Sequence, residues 1–342
     1  MRAVIFRDHG GVDRLEFTEV SDPKIKANEV LVEVRACALN HLDIWTRTGL
    51  PGLKAEMPHI LGSDIAGVVC EVGELVRHIK PGQAVMLQPG VSCGHCNACL
   101  AGNDNLCLEY DILGHRRQGG YAELVAVPAE NVIAKPTNLD FNQAAAVPLV
   151  FLTAWHMLVG RVNLRAGEDL LVLAAGSGVG SAAIQLGKLL GARVIATAST
   201  DEKLARAREL GADDVINYEK EDFAVAVRTL TSKKGVEVVF EHTGSQTWPK
   251  SVAALARGGR LVTCGATSGY EAITDLRALF AKHLTFYGSF MGSKAELLQV
   301  LKFFEQGRLR PVVDQVMPLN DARAAHERMM ERHQFGKIVL NP

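Results

Sequence analysis

The sequence predicts a mixed α/β protein in two parts, one β-rich and one a doubly wound parallel sheet. Three observations carry that expectation. Short β-rich runs separated by turns fill roughly the first 135 residues, and strands alternate with helices from about residue 144 onward. A glycine-rich turn, "VLAAGSGVGSAAIQ", joins the first strand of that alternation to its first helix. A chain of 342 residues is long for one domain and ordinary for two.

In the first part, "EVLVEVRACAL", "DIAGVVCEV", "QAVMLQ" and "AELVAV" are β-rich runs bounded by Gly, Pro and Asn. In the second, "DLLVLAA" is a buried strand, "SAAIQLGKLLG" a helix and "RVIATA" the next strand. "DEKLARARELG", "DDVIN", "VEVVFEHTG" and "GRLVTCGA" continue the βα repeat, which implies a parallel sheet covered by helices on both faces. The last fifty residues hold one clear helix, "SKAELLQVLKFFEQG", and a closing strand, "GKIVLNP". The expected division is 1–148 completed by 290–342, with 149–289 between them.

Composition excludes some functions. Lys plus Arg number 37 against 38 for Asp plus Glu, so no field of one sign draws the chain to nucleic acid or anionic lipid. "MRAVIF" begins directly on a strand-like pattern, and the most apolar run, "AAAVPLVFLTAWHMLVG", is interrupted by Pro148 and His156, so neither a leader nor a membrane span is expected. Of seven cysteines four crowd one loop, which points to a metal site in a reduced, cytoplasmic protein rather than to a disulfide framework.

The glycine turn sits where backbone N–H groups and a helix N-terminus can face a pyrophosphate. Its residues Ser177, Gly178, Val179 and Gly180 are the candidate contacts, although the strict G-x-G-x-x-G pattern is broken by Ala175 and Ser177. The second strand ends "ATASTDEK", with Ala198 where an NAD site wants an acid; Ser199 and Lys203 suit a 2′-phosphate instead, which favours NADP(H). Asp201 or Glu202 swinging back to serve NAD is the alternative.

Cys93, Cys96, Cys99 and Cys107 follow C-x2-C-x2-C-x7-C. Four thiolates suit tetrahedral zinc and leave no position for substrate, so such an ion is structural. An iron–sulfur cluster is the rival, but its usual pattern continues with three residues and Cys-Pro, where this chain has seven residues and Leu108 follows the cysteine.

Together these features resemble the medium-chain dehydrogenase/reductase superfamily, and "NEVLVEVRACALNHLDIW", "LGSDIAGVV", "GSGVGSAAIQLGKLLGARVIATA" and "LGADDVINY" look like its segments. The resemblance covers essentially the whole chain. It implies a GroES-like catalytic domain with a Rossmann cofactor domain inserted in it, and a homodimer or homotetramer. It places Thr153, Ser199, Lys203, Tyr218 and Lys337 near the cofactor phosphates, and Gly244 and Gly265 against the nicotinamide half. It also exposes a departure. Zinc alcohol dehydrogenases place a Cys where this chain has Asn40, a His then Glu where it has Ser63 and Asp64, and a third ligand near Val147; the three ligand positions thus carry amide, hydroxyl and alkyl groups, poor substitutes for thiolate and imidazole. Cys37, His41, His59 and Asp64 are nearby residues that could supply a non-standard site.

Expected substrate-pocket residues are Asn40, His41, Asp43 and Ser63, with Asp43 bracing its neighbours. Zinc-free relatives reduce enones, enoyl thioesters and quinones, and "ALNHLD" looks like their N-x-x-D segment. The resemblance therefore implies an NADPH-dependent reductase of activated C=C bonds or quinones with a single structural zinc. A zinc alcohol dehydrogenase with substituted ligands and a non-enzymatic, crystallin-like NADPH-binding protein are the alternatives. Substrate choice is expected to depend on loops such as "TRTGLPGLKAEMPHI".

Overall fold

A computed structural model describes residues 1–50, 52 and 55–342. Positions 51, 53 and 54 of the loop just quoted lie outside the described residues. The chain forms two units, Met1–Leu149 with Ser293–Pro342, and Val150–Gly292.

The first unit is built on a seven-stranded sheet. Val132–Ala134, Ala84–Leu87, Asp64–Val72, Glu29–Ala38, Lys337–Asn341 and Val313–Pro318 lie side by side in that order, and Leu124–Pro128 also pairs with Glu29–Ala38. Its interior is aliphatic: Val30, Val32, Ile65, Leu87 and Ile338 are each no more than 1% exposed, and each such side chain contributes about 1.5–3 kcal/mol of burial. The chain leaves the central strand Glu29–Ala38 straight into the helix His41–Thr48, and the Asn40 backbone N–H donates to Asp43 Oδ2 at 2.8 Å across that helix's N-terminus. The expected C-terminal helix spans Lys294–Glu305, where Ser293 and Glu296 close a reciprocal capping box.

The second unit holds six parallel strands: β1 Asp169–Val172, β2 Arg193–Ala198, β3 Asp214–Asn217, β4 Val236–Glu241, β5 Leu255–Thr263 and β6 Thr285–Gly288. Their order is β3-β2-β1-β4-β5-β6, the doubly wound arrangement in which the first crossover reverses direction next to β1. Helices covering both faces of such a sheet demand strands apolar on both sides. Leu170, Leu171 and Val172 are accordingly all 0% exposed. Helix α1, Gly178–Leu189, packs its small residues Ala182 and Ala183 fully buried, and a Cβ at Gly187 would sit 2.7 Å from Leu170 Cδ2. Among the described residues no helix is long and apolar enough to cross a membrane.

Candidate active site and metal centre

In the loop of the first unit the sulfurs of Cys93, Cys96, Cys99 and Cys107 all lie within 4.8 Å of one another. Sγ of Cys99 is 3.9 Å from that of Cys93 and 3.5 Å from that of Cys96. A tetrahedron with arms of about 2.3 Å has edges of roughly 3.8 Å, so the thiols fit zinc before any ion is considered. Backbone N–H groups of His95 and Cys96 favour the Cys93 thiolate and pull that thiol down to about 7. Among the described residues this is the one group of three or more His, Cys, Asp or Glu able to hold an ion.

A second cluster lies at the end of the central strand. Asp64 stands opposite Ala38 on one side of that strand, and Val339 stands opposite Ala38 on the other. The first pairing puts Asp64 beside Asn40, and the antiparallel register of the second brings Lys337 level with it. Asn40 Nδ2 donates to Asp64 Oδ2 at 2.9 Å, and Lys337 Nζ donates to Asn40 Oδ1 at 2.5 Å and to Asp64 Oδ2 at 2.8 Å. Asp64 Oδ1 accepts from the Leu149 backbone N–H at 2.8 Å. Asp64 is 0% exposed and Lys337 3%.

Behind them Asp43 accepts from three donors: the Asn40 N–H, the Tyr121 hydroxyl at 3.0 Å and the Gly62 N–H at 3.3 Å. It thereby ties the helix N-terminus to the turn that precedes Ser63. Burial pushes its carboxyl up to about 6. Tyr121 OH is also 3.3 Å from His326 Nε2, and burial drives that imidazole down to about 3.

Two of the expected residues are engaged with each other in the first unit. Lys337 is buried against Asn40 and Asp64, because the closing strand pairs with Glu29–Ala38, and two of its three N–H groups are directed there. The Asn40 amide donates one of its two N–H groups to Asp64. The other pocket candidates separate. Ser63 Oγ is fully buried and has no hydrogen-bond partner among the described residues. His41 opens its helix, half-buried, with its ring edge-on to Trp45 at 4.9 Å.

The residues do not fit a second metal. Cys37 is a buried strand thiol that burial pushes up, and His59 Nε2 is 3.1 Å from the Gly114 carbonyl. Val147 offers only alkyl groups, and the Lys337 ammonium already occupies the Asn40 oxygen.

In the second unit Ser177 caps α1, its Oγ accepting from the Gly180 N–H at 2.9 Å. A Cβ at Gly180 would lie 2.5 Å from the Ala174 carbonyl oxygen, so only glycine permits this turn. The turn therefore fits a pyrophosphate by geometry, with its backbone held open at a helix N-terminus. At the end of β2, Thr200 Oγ1 accepts from the Lys203 N–H at 3.3 Å and Tyr218 N–H donates to the Ala198 carbonyl at 3.2 Å. Ser199, Lys203 and Tyr218 thus gather at one strand end. Asp201 accepts from Asn217 Nδ2 at 2.8 Å and Lys220 Nζ at 2.5 Å. Gly244, at φ +102°, and Gly265 follow β4 and β5; a Cβ on either would press on backbone, the Gly269 oxygen at 2.7 Å or the His242 oxygen at 2.8 Å. Thr153 is 5% exposed, with Oγ1 3.9 Å from Met291 Sδ.

Sequence reasoning missed Tyr121, His326 and Glu241. Glu241, fully buried, collects the Thr243 and Gly244 N–H groups and the Thr247 and Ser251 hydroxyls, and so fixes the loop after β4. No local motif marks any of the three, because each acts through residues brought up by the fold.

Two family profiles match the chain, the alcohol dehydrogenase GroES-like domain over residues 26–137 and the zinc-binding dehydrogenase domain over residues 178–306. A zinc-type alcohol dehydrogenase-like protein of Schizosaccharomyces pombe is 32% identical, with 99% of each chain covered. The chain belongs to the medium-chain dehydrogenase/reductase superfamily. Within that superfamily it is similar to a crystal structure of an NAD-dependent alcohol dehydrogenase, at 49% identity and a TM-score of 0.97 over all of both chains. It is also similar to human quinone oxidoreductase, at 28% identity over 99% of this chain and 97% of that one. The GroES-like and Rossmann-like units are those of this oxidoreductase superfamily.

Proposed function

We propose that the chain is an NADPH-dependent reductase of activated C=C bonds or quinones, with one zinc held by Cys93, Cys96, Cys99 and Cys107 and none at the second family position. The observation that carries this reading is the chemistry at that second position. Asn40 and Asp64 are hydrogen-bonded to each other and to an ammonium, and among the described residues the only group of three or more His, Cys, Asp or Glu able to hold an ion is the four-cysteine loop. A polarising metal matters most for simple alcohols and aldehydes. Conjugated acceptors need less help, since fixed hydrogen-bond donors worth about 2.7–4 kcal/mol each can hold the charge that develops on oxygen.

NADPH, when bound, supplies a hydride. The turn Ser177–Gly180 would hold its pyrophosphate, Ser199 and Lys203 its 2′-phosphate, and Tyr218, Thr153, Gly244 and Gly265 the remainder. Asp201 already accepts from Asn217 and Lys220. In the first unit Ser63 offers a buried hydroxyl to the acceptor, while Asp43 keeps the turn around it in place. A homodimer or homotetramer is part of the reading; the second unit exposes Ile273 at 90% and Phe280 at 69%, apolar surface that a partner copy could cover.

A second reading, an alcohol dehydrogenase using NAD, is favoured by the 49% identity to the structure of that name. One experiment separates them: zinc content per chain together with NADPH and NADH oxidation over enones, enoyl thioesters, quinones and aldehydes. One zinc with NADPH-dependent turnover of conjugated acceptors supports the reductase. Two zincs with NADH-dependent turnover of aldehydes would replace it, and cofactor binding without turnover of any acceptor would point to a crystallin-like role.

A further inference from the structure

Ser177 stands where the dinucleotide fingerprint has its second glycine, the residue that lets the backbone approach a pyrophosphate. A side chain at that position has to earn its place by what its hydroxyl does. Ser177 Oγ accepts from the Gly180 N–H at 2.9 Å, so its own proton points elsewhere. His242 sets the direction. It follows β4, in the second unit, at the place where the strand order turns from β1 to β4, and it is 8% exposed. Its Nε2 lies 3.0 Å from the Leu173 carbonyl oxygen and 3.3 Å from Ser177 Oγ. A carbonyl oxygen only accepts, so Nε2 carries a hydrogen. Burial lowers the pKa of this ring, and at neutral pH that hydrogen is its only N–H. Nε2 therefore has no lone pair to offer the serine. A hydroxyl has one proton and two lone pairs. Both groups that touch Ser177 Oγ are donors, the Gly180 N–H and the His242 Nε2–H, and no acceptor for the Ser177 proton lies among the described residues. The serine is half-buried, so its O–H is left for an acceptor outside the chain.

We infer that His242 is a positioning residue for the cofactor: its Nε2–H, held against Leu173 and Ser177, commits the Ser177 hydroxyl as a donor to the pyrophosphate of a bound dinucleotide. This deepens the cofactor half of the reductase reading and rests on it. Hydrogen bonds from a hydroxyl to a charged phosphate oxygen are among the stronger ones, so a proton fixed in the right direction matters for affinity. The pyrophosphate is common to NADPH and NADH, so the effect is the same for both, whereas Lys203 bears on the 2′-phosphate alone. A histidine that only braced the end of β1 through the Leu173 carbonyl would act without Ser177, and that difference can be measured.

The test uses the full-length zinc-loaded protein with Ser177→Ala, His242→Phe, His242→Gln and the double variant of the first two. Calorimetry gives the dissociation constants of NADPH and NADH for each. Ser177→Ala and His242→Phe are each expected to raise both constants about tenfold, by the same factor for the two dinucleotides. The double variant should bind within twofold of Ser177→Ala, because the histidine acts through that hydroxyl. His242→Gln, whose amide reaches the same place with an N–H, should bind within twofold of the parent. Nitrogen NMR of histidine-labelled parent at pH 7 should show the His242 ring protonated at Nε2. The inference falls if the two single effects add in the double variant, if Ser177→Ala binds as the parent does, if His242→Gln binds as weakly as His242→Phe, or if the proton is on Nδ1 alone. Should His242→Phe not fold, the Ser177→Ala constants and the ring tautomer decide it. A parent that binds neither dinucleotide overturns the cofactor reading and this inference together. One that prefers NADH overturns only the NADPH assignment, and one that binds but reduces no conjugated acceptor only the reductase reading; the variant series then decides the role of His242 by itself.

Discussion

Replacing Asp43 by Asn should flatten one component of the pH dependence of stability. Asp43 is fully buried, and its carboxyl titrates at about 6 in the folded chain against 3.8 ordinarily, chiefly through burial. Below pH 3.8 it is neutral in both folded and unfolded chains and contributes no difference. As pH rises from there to about 6, the folded chain keeps a proton the unfolded chain has lost, so stability falls; above about 6 the full penalty stays. The gap of about 2.2 units, 6 minus 3.8, corresponds to a penalty on the order of 3 kcal/mol. His326 works the other way. Its imidazole is held at about 3 against 6.5, so the stability it contributes is lost as pH falls through that range. The difference between Asp43→Asn and parent, not the parent's own curve, therefore carries the test. An amide nitrogen turned toward the Gly62 N–H, the weakest of the three donors at 3.3 Å, adds a roughly constant cost. Amide hydrogen exchange in strands Glu29–Ala38 and Asp64–Val72 from pH 4 to 8 reports the first unit alone. The variant should gain on the parent by on the order of 3 kcal/mol across that range; parallel curves would refute the account of Asp43 as a carboxyl whose ionisation burial opposes.

Further outcomes follow from the same geometry. Lys203→Ala should raise the KM for NADPH about tenfold or more and leave that for NADH within twofold; equal effects on both would end the 2′-phosphate assignment. Cys96→Ser should let EDTA strip the bound zinc and lower the thermal midpoint, with the NADPH dissociation constant unchanged, since the thiols and the glycine turn lie in different units. Gly180→Val should abolish measurable NADPH binding while zinc content stays as in the parent, because its Cβ would meet the Ala174 carbonyl at 2.5 Å; retained binding would show that the turn relaxes.

What could be read in the sequence was local. The strands of the second unit announce themselves because a sheet covered on both faces needs unbroken apolar runs, and Leu170–Val172 is one. The metal loop is legible because its four thiols fall within fifteen residues. Asp43 was expected to brace its neighbours, and the cap by which it does so, accepting from the Asn40 N–H across a helix N-terminus, came only from the structure. Tyr121 and His326 were not legible, since Tyr121 lies 78 positions from Asp43 and His326 lies 205 from Tyr121, and each meets its partner only through the fold.

Lys337 shows why long-range placement is hard to read even when every element is identified. "GKIVLNP" was recognisable as a strand, but its function hangs on register. Val339 lies opposite Ala38 and Leu340 opposite Cys37, in antiparallel pairing. Two residues back along one strand and two forward along the other, the same register puts Lys337 level with Asn40. A slip of one residue would turn its side chain to the other face of the sheet. Asp64 would then be left as a buried carboxylate with amide donors only, at a cost of about 3–5 kcal/mol. The register is thus fixed from both directions. Ile338 and Leu340, each 0% exposed, demand the core face, and the charge on Asp64 demands the ammonium at the strand's first position. Packing and electrostatics select the same alignment, which sets the ammonium beside Asn40 and Asp64 without any local motif to announce it.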